Sequence, residues 1–360
     1  MANPKLTLGL DIGSTSIKLV QLKEVVQRGV VGYQLQAFGI KPLPPEAIID
    51  GALMNSTAIV QAIQELVAEL NIKNKNVTLA IPGHSVIIKK ISLPVMSQEE
   101  LDESIQTEAG QYINIDIKDV YLDTYPLPSE DDQMGQMDVM LVAAKKDMVN
   151  DYAAVVSEAG LNPVIVDIDT FAIQNCFEAN YEVASGETVV LLNVGASIIN
   201  INILTNGVPA FTRDITVGGN HFTEEIQKQL NVSYEEAEMF KSGGADSDSD
   251  AIVPQEVESI LEATAEQIAG EIQRSIDFYT STIASDHIGR IFVSGGSAKV
   301  PALFKAIEQR AGLSVEILNP FRCIEIHNRR FDPAYIMDLA PVAAVAVGLG
   351  LRRLNDKELG

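Results

Sequence analysis

Residues 8–20, LGLDIGSTSIKLV, have a counterpart in residues 190–202, VLLNVGASIININ. Aligned at an offset of 193 − 11 = 182, Asp11 meets Asn193, Gly13 meets Gly195 and Thr15 meets Ser197. Each copy is an apolar run, a polar residue, a glycine turn with small or hydroxyl side chains, and a second apolar run. That pattern predicts a β-hairpin. The glycine opens positive φ and leaves no Cβ in the path of a ligand. The offset is about half of the 360 residues, so a duplicated fold with a cleft between its halves is expected.

Small residues in a tight turn leave successive backbone N–H groups free to converge on one point, and such a nest binds anionic oxygens. Ser14, Thr15 and Ser16 add hydroxyl donors, and Lys18 adds a positive charge. Asp11, at the end of the first strand, is placed to hold a hydrated Mg²⁺. Two facing hairpins would grip a polyphosphate from both sides. The plainer reading, that D-x-G and N-x-G mark solvent-facing turns, fits either copy alone better than it fits the pair.

Two further glycine clusters follow. I-F-V-S-G-G-S-A at 291–298 reads as a strand end, with a helix entered near Pro301. In V-G-G-N-H-F-T-E-E-I at 217–226, Thr223 is expected to cap a helix beginning at Glu224. Other phosphate and nucleophile motifs are absent: there is no Walker A loop, no G-x-G-x-x-G after a strand and no G-x-S-x-G elbow.

Charge narrows the partners. Lys plus Arg number 26 and Asp plus Glu 49, a net charge of −23, which disfavours duplex nucleic acid and direct adsorption to anionic lipid. No run of 18 uninterrupted apolar residues exists, so no transmembrane helix is expected, and the N-terminus does not read as a signal peptide. Two cysteines and four scattered histidines form no metal-ligand spacing and fit a reducing cytoplasm.

Together, the Asp11-x-Gly13 turn, the second hairpin near 193–197 and Ser294-Gly295-Gly296-Ser297 resemble the actin-like ATPase superfamily. Its landmarks match in order: phosphate hairpins at 9–18 and 191–198, connecting segments at 166–174 and 341–349, and an adenosine segment at 291–298. Gly218-Gly219 resembles the superfamily's GG before a helix, and Ala237-Glu238-Met239-Phe240-Lys241 resembles the A-E-x-x-K of MreB and FtsA. The match narrows to the PilM family of type IV pilus assembly proteins through V-T-L-A-I-P-G at 77–83, I-S-L-P-V-M-S at 91–97, V-D-I-D-T-F-A at 166–172 and D-I-T-V-G-G-N-H-F-T at 214–223.

The resemblance implies an α/β, actin-like ATPase fold with two duplicated, ribonuclease H-like lobes and an inserted 1C subdomain. Subdomain 1A is expected at 1–83 and 162–187, 1C at 84–161, 2A at 188–228 and 288–340, and 2B at 229–287. Residues 341–360 would return to the 1A/2A junction. Within 84–161 the pattern predicts a strand, a helix over 97–112 starting at Ser97, strands at 119–127 and 137–145, and a helix over 147–159. Ser129–Asp132 and Gly243–Asp250 read as solvated loops. A helix over 254–284 buries Val257, Ile260, Leu261, Ile268, Ile272, Ile276, Tyr279 and Ile283. The ending after Arg352-Arg353 reads as too short for the amphipathic membrane helix of FtsA.

ATP with Mg²⁺ is the implied cofactor. Asp11, Gly13, Ser14, Thr15, Ser16, Lys18, Asn193, Gly195, Ala196 and Ser197 would hold phosphate. Glu238, Lys241, Gly295 and Gly296 would flank the nucleoside, Gly218, Gly219 and Ser297 are further cofactor-binding candidates, and Asp11 would carry Mg²⁺ through water. Asp11, Asp169 and Asn193 are the candidates for chemistry. Asn193 stands where many relatives have Asp and cannot accept a proton, so slow hydrolysis or none is expected. The implied partner is the cytoplasmic N-terminal segment of PilN, in a groove between 1A and 1C. PilO is reached indirectly, pilus motor ATPases are further contacts, and self-association stays open. The expected location is the cytoplasm, at the inner membrane through partners. An enzyme, either an ATPase or a small-molecule kinase, and an FtsA-like filament former are the alternatives.

Overall fold

The computed structural model describes residues 6–27, 29–127, 135–243, 254–282, 287–327 and 329–354. The first half runs β1 (Leu8–Ile12), β2 (Ser16–Gln27), β3 (Val30–Pro42), the short pair β4 (Ile48–Ile49) and β5 (Ala52–Leu53), α1 (Ser56–Glu69) and β6 (Asn76–Ile81). An insertion follows: β7 (Val86–Pro94), α2 (Gln98–Glu108), β8 (Val120–Pro126) and β9 (Gln136–Lys145), leading into α3 (Lys146–Glu158). Then come β10 (Asn162–Ile168) and α4 (Asp169–Asn180). The second half holds β11 (Thr188–Val194), β12 (Ile199–Thr205), β13 (Val208–Ile215), α5 (Gly219–Leu230), α6 (Tyr234–Lys241), α7 (Gln255–Thr282) and β14 (Ile288–Ser294). It continues with α8 (Pro301–Ala311), β15 (Ser314–Ile317), β16 (Ile324–Glu325), α9 (Pro333–Leu339) and α10 (Ala344–Gly350).

The repeat in the sequence is a repeat of topology. One sheet has the order β10-β6-β1-β2-β3-β16 and the other β13-β12-β11-β14-β15. In each, a strand pairs antiparallel with the next, which pairs antiparallel with a third. On its other side the first strand takes two parallel neighbours. The central strand β11 is apolar on both faces. Val190, Leu192 and Val194 enter the core of the second lobe, while Val189 and Leu191 enter a cluster shared by both lobes. That two-sided burial is what a strand covered on both faces requires.

The shared cluster contains α4 and α10, packed between the sheets. Their backbones nearly touch: a Cβ on Gly348 would lie 1.7 Å from the Ala172 carbonyl oxygen, and one on Gly9 of β1 2.0 Å from that of Ala346. The segment Pro333–Gly350 is long and apolar enough to cross a membrane by composition, a feature that a search for unbroken apolar runs overlooks. Most of it is buried here, and every residue of α10 lies in the core.

The insertion builds its own sheet, β7-β9-β8, with its own apolar cluster under α2. Ser97 caps α2 in a reciprocal capping box with Glu100, which fixes its start. The helix is shorter than the predicted 97–112: its regular turns stop at Glu108 and a 3₁₀ turn spans Ala109–Gln111. Six of the stripe residues on α7 are buried, whereas Leu261 is only partly so. Ile283, Ser129–Asp132 and 244–250 lie outside the described residues.

Candidate functional site

The two glycine turns have one geometry. Gly13 N–H donates to the Ser16 carbonyl at 3.1 Å, and Gly195 N–H donates to the Ile198 carbonyl at 3.0 Å. They meet across the interlobe cleft, where Ser197 Oγ donates to Ser14 Oγ at 3.0 Å. Among the described residues, the amides of Ser14, Thr15, Ala196 and Ser197 donate no hydrogen bond. All four residues line a cleft of about 1640 Å³. Backbone donors left without partners at the wall of a cavity are groups that an anionic ligand can satisfy.

Register carries the symmetry one step further, and the chemistry breaks it. Asp11 stands opposite Lys18 across β1 and β2, and Asn193 stands opposite Asn200 across β11 and β12, at the same offset of 182. In the first lobe the pair is ionic, with Lys18 Nζ 3.3 Å from Asp11 Oδ2. In the second it is neutral: Asn193 Nδ2 donates to Asn200 Oδ1 at 2.9 Å, and Asn200 Nδ2 donates to Asp214 Oδ1 at 3.1 Å. Because a carboxylate only accepts, Asn200 must turn its amide to Asp214 and present its oxygen to Asn193. An Asp at 193 would face that oxygen with a second acceptor. Asparagine therefore satisfies the network there, and aspartate would not.

Asp169 opens α4 and lines the cleft. Burial raises its carboxyl well above the usual carboxylate range, and the carboxylates of Asp11 and Asp214 push it further in the same direction against the opposing pull of Lys18. The folded protein thus holds this proton more tightly than the unfolded chain does. This contribution to stability falls as pH rises above the ordinary value of 3.8. Asp169→Asn is expected to raise the melting temperature at pH 7 by about 2–4 °C, a gain that shrinks toward zero in acid. A melting temperature that is unchanged or lower at pH 7 would show that the carboxylate is the preferred form. Tyr152, on α3, borders the same space, and burial together with Asp169 and Asp11 pushes its phenol up. Its hydroxyl donates to the Gly51 carbonyl at 3.1 Å.

The same cleft is lined by Glu238 and Lys241 on α6 and by Gly295, Gly296 and Ser297 after β14, where Ser297 Oγ donates to the Gly195 carbonyl of the second turn at 3.3 Å. Lys241 Nζ reaches Glu238 Oε1 at 2.6 Å and Thr223 Oγ1 at 2.9 Å, and Thr223 Oγ1 also bonds Glu238. Gly295 has φ +90°, and a Cβ there would lie 2.4 Å from the Val194 carbonyl oxygen. The 291–298 segment can therefore press against the second turn only with glycine at this position.

Two expectations are corrected. Thr223 does not cap a helix starting at Glu224: α5 begins at Gly219, and Thr223 sits inside it, turned toward Glu238 and Lys241. Gly218 does not line the cleft. A Cβ on it would lie 2.6 Å from both the Gly195 and Ala196 carbonyl oxygens. The first amides of α5 are also taken, since Gly219 N–H donates to Gly195 O at 2.9 Å and Asn220 N–H to Ala196 O at 2.7 Å. The glycine pair thus braces the second turn from behind, and Gly219 alone reaches the cleft wall. Asp11, Gly13, Ser14, Thr15, Ser16, Lys18, Asp169, Asn193, Gly195, Ala196, Ser197, Glu238, Lys241, Gly295, Gly296 and Ser297 all border that wall.

Sequence reading passed over Tyr152, Asn200 and Asp214. Asn200 had a signal, because 18 + 182 = 200 pairs it with Lys18. The other two had none. Among the described residues no group of three or more His, Cys, Asp or Glu side chains forms a cation cage. One carboxylate, Asp11, beside free phosphate-seeking amides suits Mg²⁺, which keeps most of its water and takes few protein ligands, whereas Asp169 holds its proton and adds no charge there.

A family model described as type IV pilus assembly protein PilM matches residues 9–354. A chain of a solved PilM-PilN type IV pilus biogenesis complex superposes with a TM-score of 0.84 at 27% identity, covering 96% of this chain and 98% of that one. The ethanolamine utilization protein EutJ from Carboxydothermus hydrogenoformans shares the fold, with a TM-score of 0.56 at 15% identity over 97% of this chain and 90% of its own. By sequence, the cell division protein FtsA of Enterococcus hirae is 22% identical over 364 residues, 89% of this chain and 79% of that protein.

Proposed function

The chain belongs to the PilM family of type IV pilus assembly proteins and has the actin-like ATPase fold, and from that premise we propose that it is an ATP-binding adaptor for the cytoplasmic N-terminal segment of PilN. The observation that carries the nucleotide half is the set of four free amides on two turns joined by the Ser14–Ser197 bond. Ser14, Thr15, Ala196 and Ser197 would hold phosphate oxygens together with Lys18, and Asp11 would carry Mg²⁺, which offsets phosphate charge. Glu238, Lys241, Gly295 and Gly296 would bound the nucleoside.

Hydrolysis is expected to be slow or absent. The position related by symmetry to Asp11 is Asn193, which cannot accept a proton and is locked as a donor to Asn200. The partner half is supported by the PilM-PilN complex with which this chain superposes. On this reading the segment lies in the groove between subdomains 1A and 1C. The protein works in the cytoplasm at the inner membrane, held there by PilN, and PilO and the motor ATPases are reached through the assembled platform. An FtsA-like filament has 22% identity in its favour and the family match against it.

Titration with a peptide from the cytoplasmic start of the cognate PilN, with and without Mg-ATP, tests both halves. Saturable binding is expected in at least one state, with affinities differing about fivefold or more between the two. No binding in either state removes the pilus partner. Phosphate release is expected far below the ~1 per second of dedicated phosphotransferases, and a rate in that range without partners would make the chain an enzyme.

A further inference from the structure

The inserted sheet β7-β9-β8 touches the cleft region at both of its covalent ends. It is entered through Pro82, which lines the cleft, and the 3₁₀ turn Gly83–Ser85. It leaves directly into α3, whose Tyr152 lines the same cleft. The sheet and α3 are tied together: Tyr121 Oη donates to Asn150 Oδ1 at 3.2 Å, and Lys146 Nζ donates to the Lys118 carbonyl at 2.7 Å. A displacement at either connector is therefore passed to the sheet as a body.

The entry connector is also where the second lobe presses on the first. Gly83 is buried, and a Cβ on it would lie 2.7 Å from Asp214 Oδ2 and 3.4 Å from Oδ1. No side chain fits there while Asp214 keeps its place. Asp214 is in turn the end of a directed chain of hydrogen bonds. Ser294 Oγ shares its one proton between the Leu192 carbonyl at 3.2 Å and Asn193 Oδ1 at 3.3 Å, Asn193 donates to Asn200, and Asn200 donates to Asp214. The chain starts beside Gly295 at the nucleoside end, passes the second phosphate turn, and ends on the root of the insertion. Each amide orientation follows from the carboxylate at the far end.

We propose that Asp214 is a positioning residue that couples closure of the two lobes to the placement of the inserted sheet, acting through the Ser294–Asn193–Asn200–Asp214 chain and its seat on Gly83. The proposal rests on the nucleotide reading above, because ligand in the cleft is what draws the turns together. When the second lobe rotates, β13 carries the Asp214 carboxylate against or away from Gly83, and the connector follows. A packed contact of this kind has few intermediate arrangements, so a small rotation becomes a change of position. The surface of the insertion then differs between open and closed protein.

Amide hydrogen exchange of the full chain, with and without Mg-AMPPNP, tests this alongside nucleotide titration. In the unsubstituted protein, nucleotide is expected to slow exchange in β7 and β9 by about fivefold or more. Asp214→Ala is expected to bind nucleotide within about threefold of the unsubstituted protein while losing that response. Asp214→Asn, which keeps an oxygen to accept from Asn200, is expected to retain it. Three results overturn the proposal: an undiminished response in Asp214→Ala, equal loss in Asp214→Asn, or loss of nucleotide affinity in step with loss of the response. An unsubstituted protein that binds nucleotide without a change in β7 and β9 overturns it alone. One that binds no nucleotide overturns the nucleotide reading as well, and the titration separates these two cases.

Discussion

Gly218→Ala is expected to weaken ATP binding about a hundredfold, although residue 218 does not touch the cleft. The added methyl group would meet two carbonyl oxygens at 2.6 Å, those of Gly195 and Ala196, and neither is a side chain that can swing aside. The start of α5 has to retreat from the second turn. With it go the bonds from Gly219 N–H and Asn220 N–H that fix the orientation of the turn's carbonyls. Two hydrogen bonds at about 1 kcal/mol each, with overpacking of about 1–3 kcal/mol, bring the loss to roughly 3 kcal/mol or more. Fluorescence titration with an ATP analogue measures it, and circular dichroism confirms that the chain is folded. Unchanged affinity in a folded Gly218→Ala protein would mean that the second turn does not bind the phosphates.

The largest stability effect is expected at Gly348. An alanine there would place its Cβ 1.7 Å from the Ala172 carbonyl oxygen and 2.5 Å from its carbonyl carbon. Both belong to the backbone of α4, which is itself clamped between the two sheets. One helix must move, and the shared cluster must open with it. A loss beyond about 3 kcal/mol, read as a fall of roughly 4 °C or more in melting temperature for a chain of this length, is expected. Gly270 supplies the contrast. It lies in α7, where an added Cβ meets only the Arg310 guanidinium at ordinary distances of 3.7 and 3.8 Å. Gly270→Ala is expected to hold or raise stability by up to about 1 kcal/mol through helix propensity. Equal effects of the two substitutions in urea denaturation would refute close approach as the reason for Gly348.

The parts of the site that could be read in advance are those whose chemistry is local. Gly13 and Gly195 mark the turns, but neither adopts the positive φ expected of it; what a side chain would meet there is Lys18 Nζ, 2.9 Å from a Cβ on Gly13, and the Ile198 carbonyl oxygen, 3.0 Å from one on Gly195. Ser97 announces α2 because its side chain caps a neighbour three residues away. The neutral Asn193 at the place of Asp11 was also visible, as one letter of the repeat. The misreadings have a common physical cause. Thr223 reads as a cap from its immediate neighbours, and Gly218 reads as a site residue from the resemblance of Gly218-Gly219 to the superfamily's GG. Their partners are Glu238 and Lys241 for the one and the Gly195 and Ala196 carbonyls for the other, brought near only by folding.

The sequence by itself determined the duplication, the two phosphate-type turns and their offset of 182, because a hairpin is encoded within a dozen residues by alternation and glycine. Only the tertiary structure decided that Ser14 and Ser197 meet, that Asn200 and Asp214 hold Asn193 as a donor, and that Gly83 seats against the second lobe. Those contacts join residues separated by up to 183 positions. Nothing periodic marks them, and they exist because two independently buried sheets enclose α4 and α10, which sets the distance and angle between the lobes.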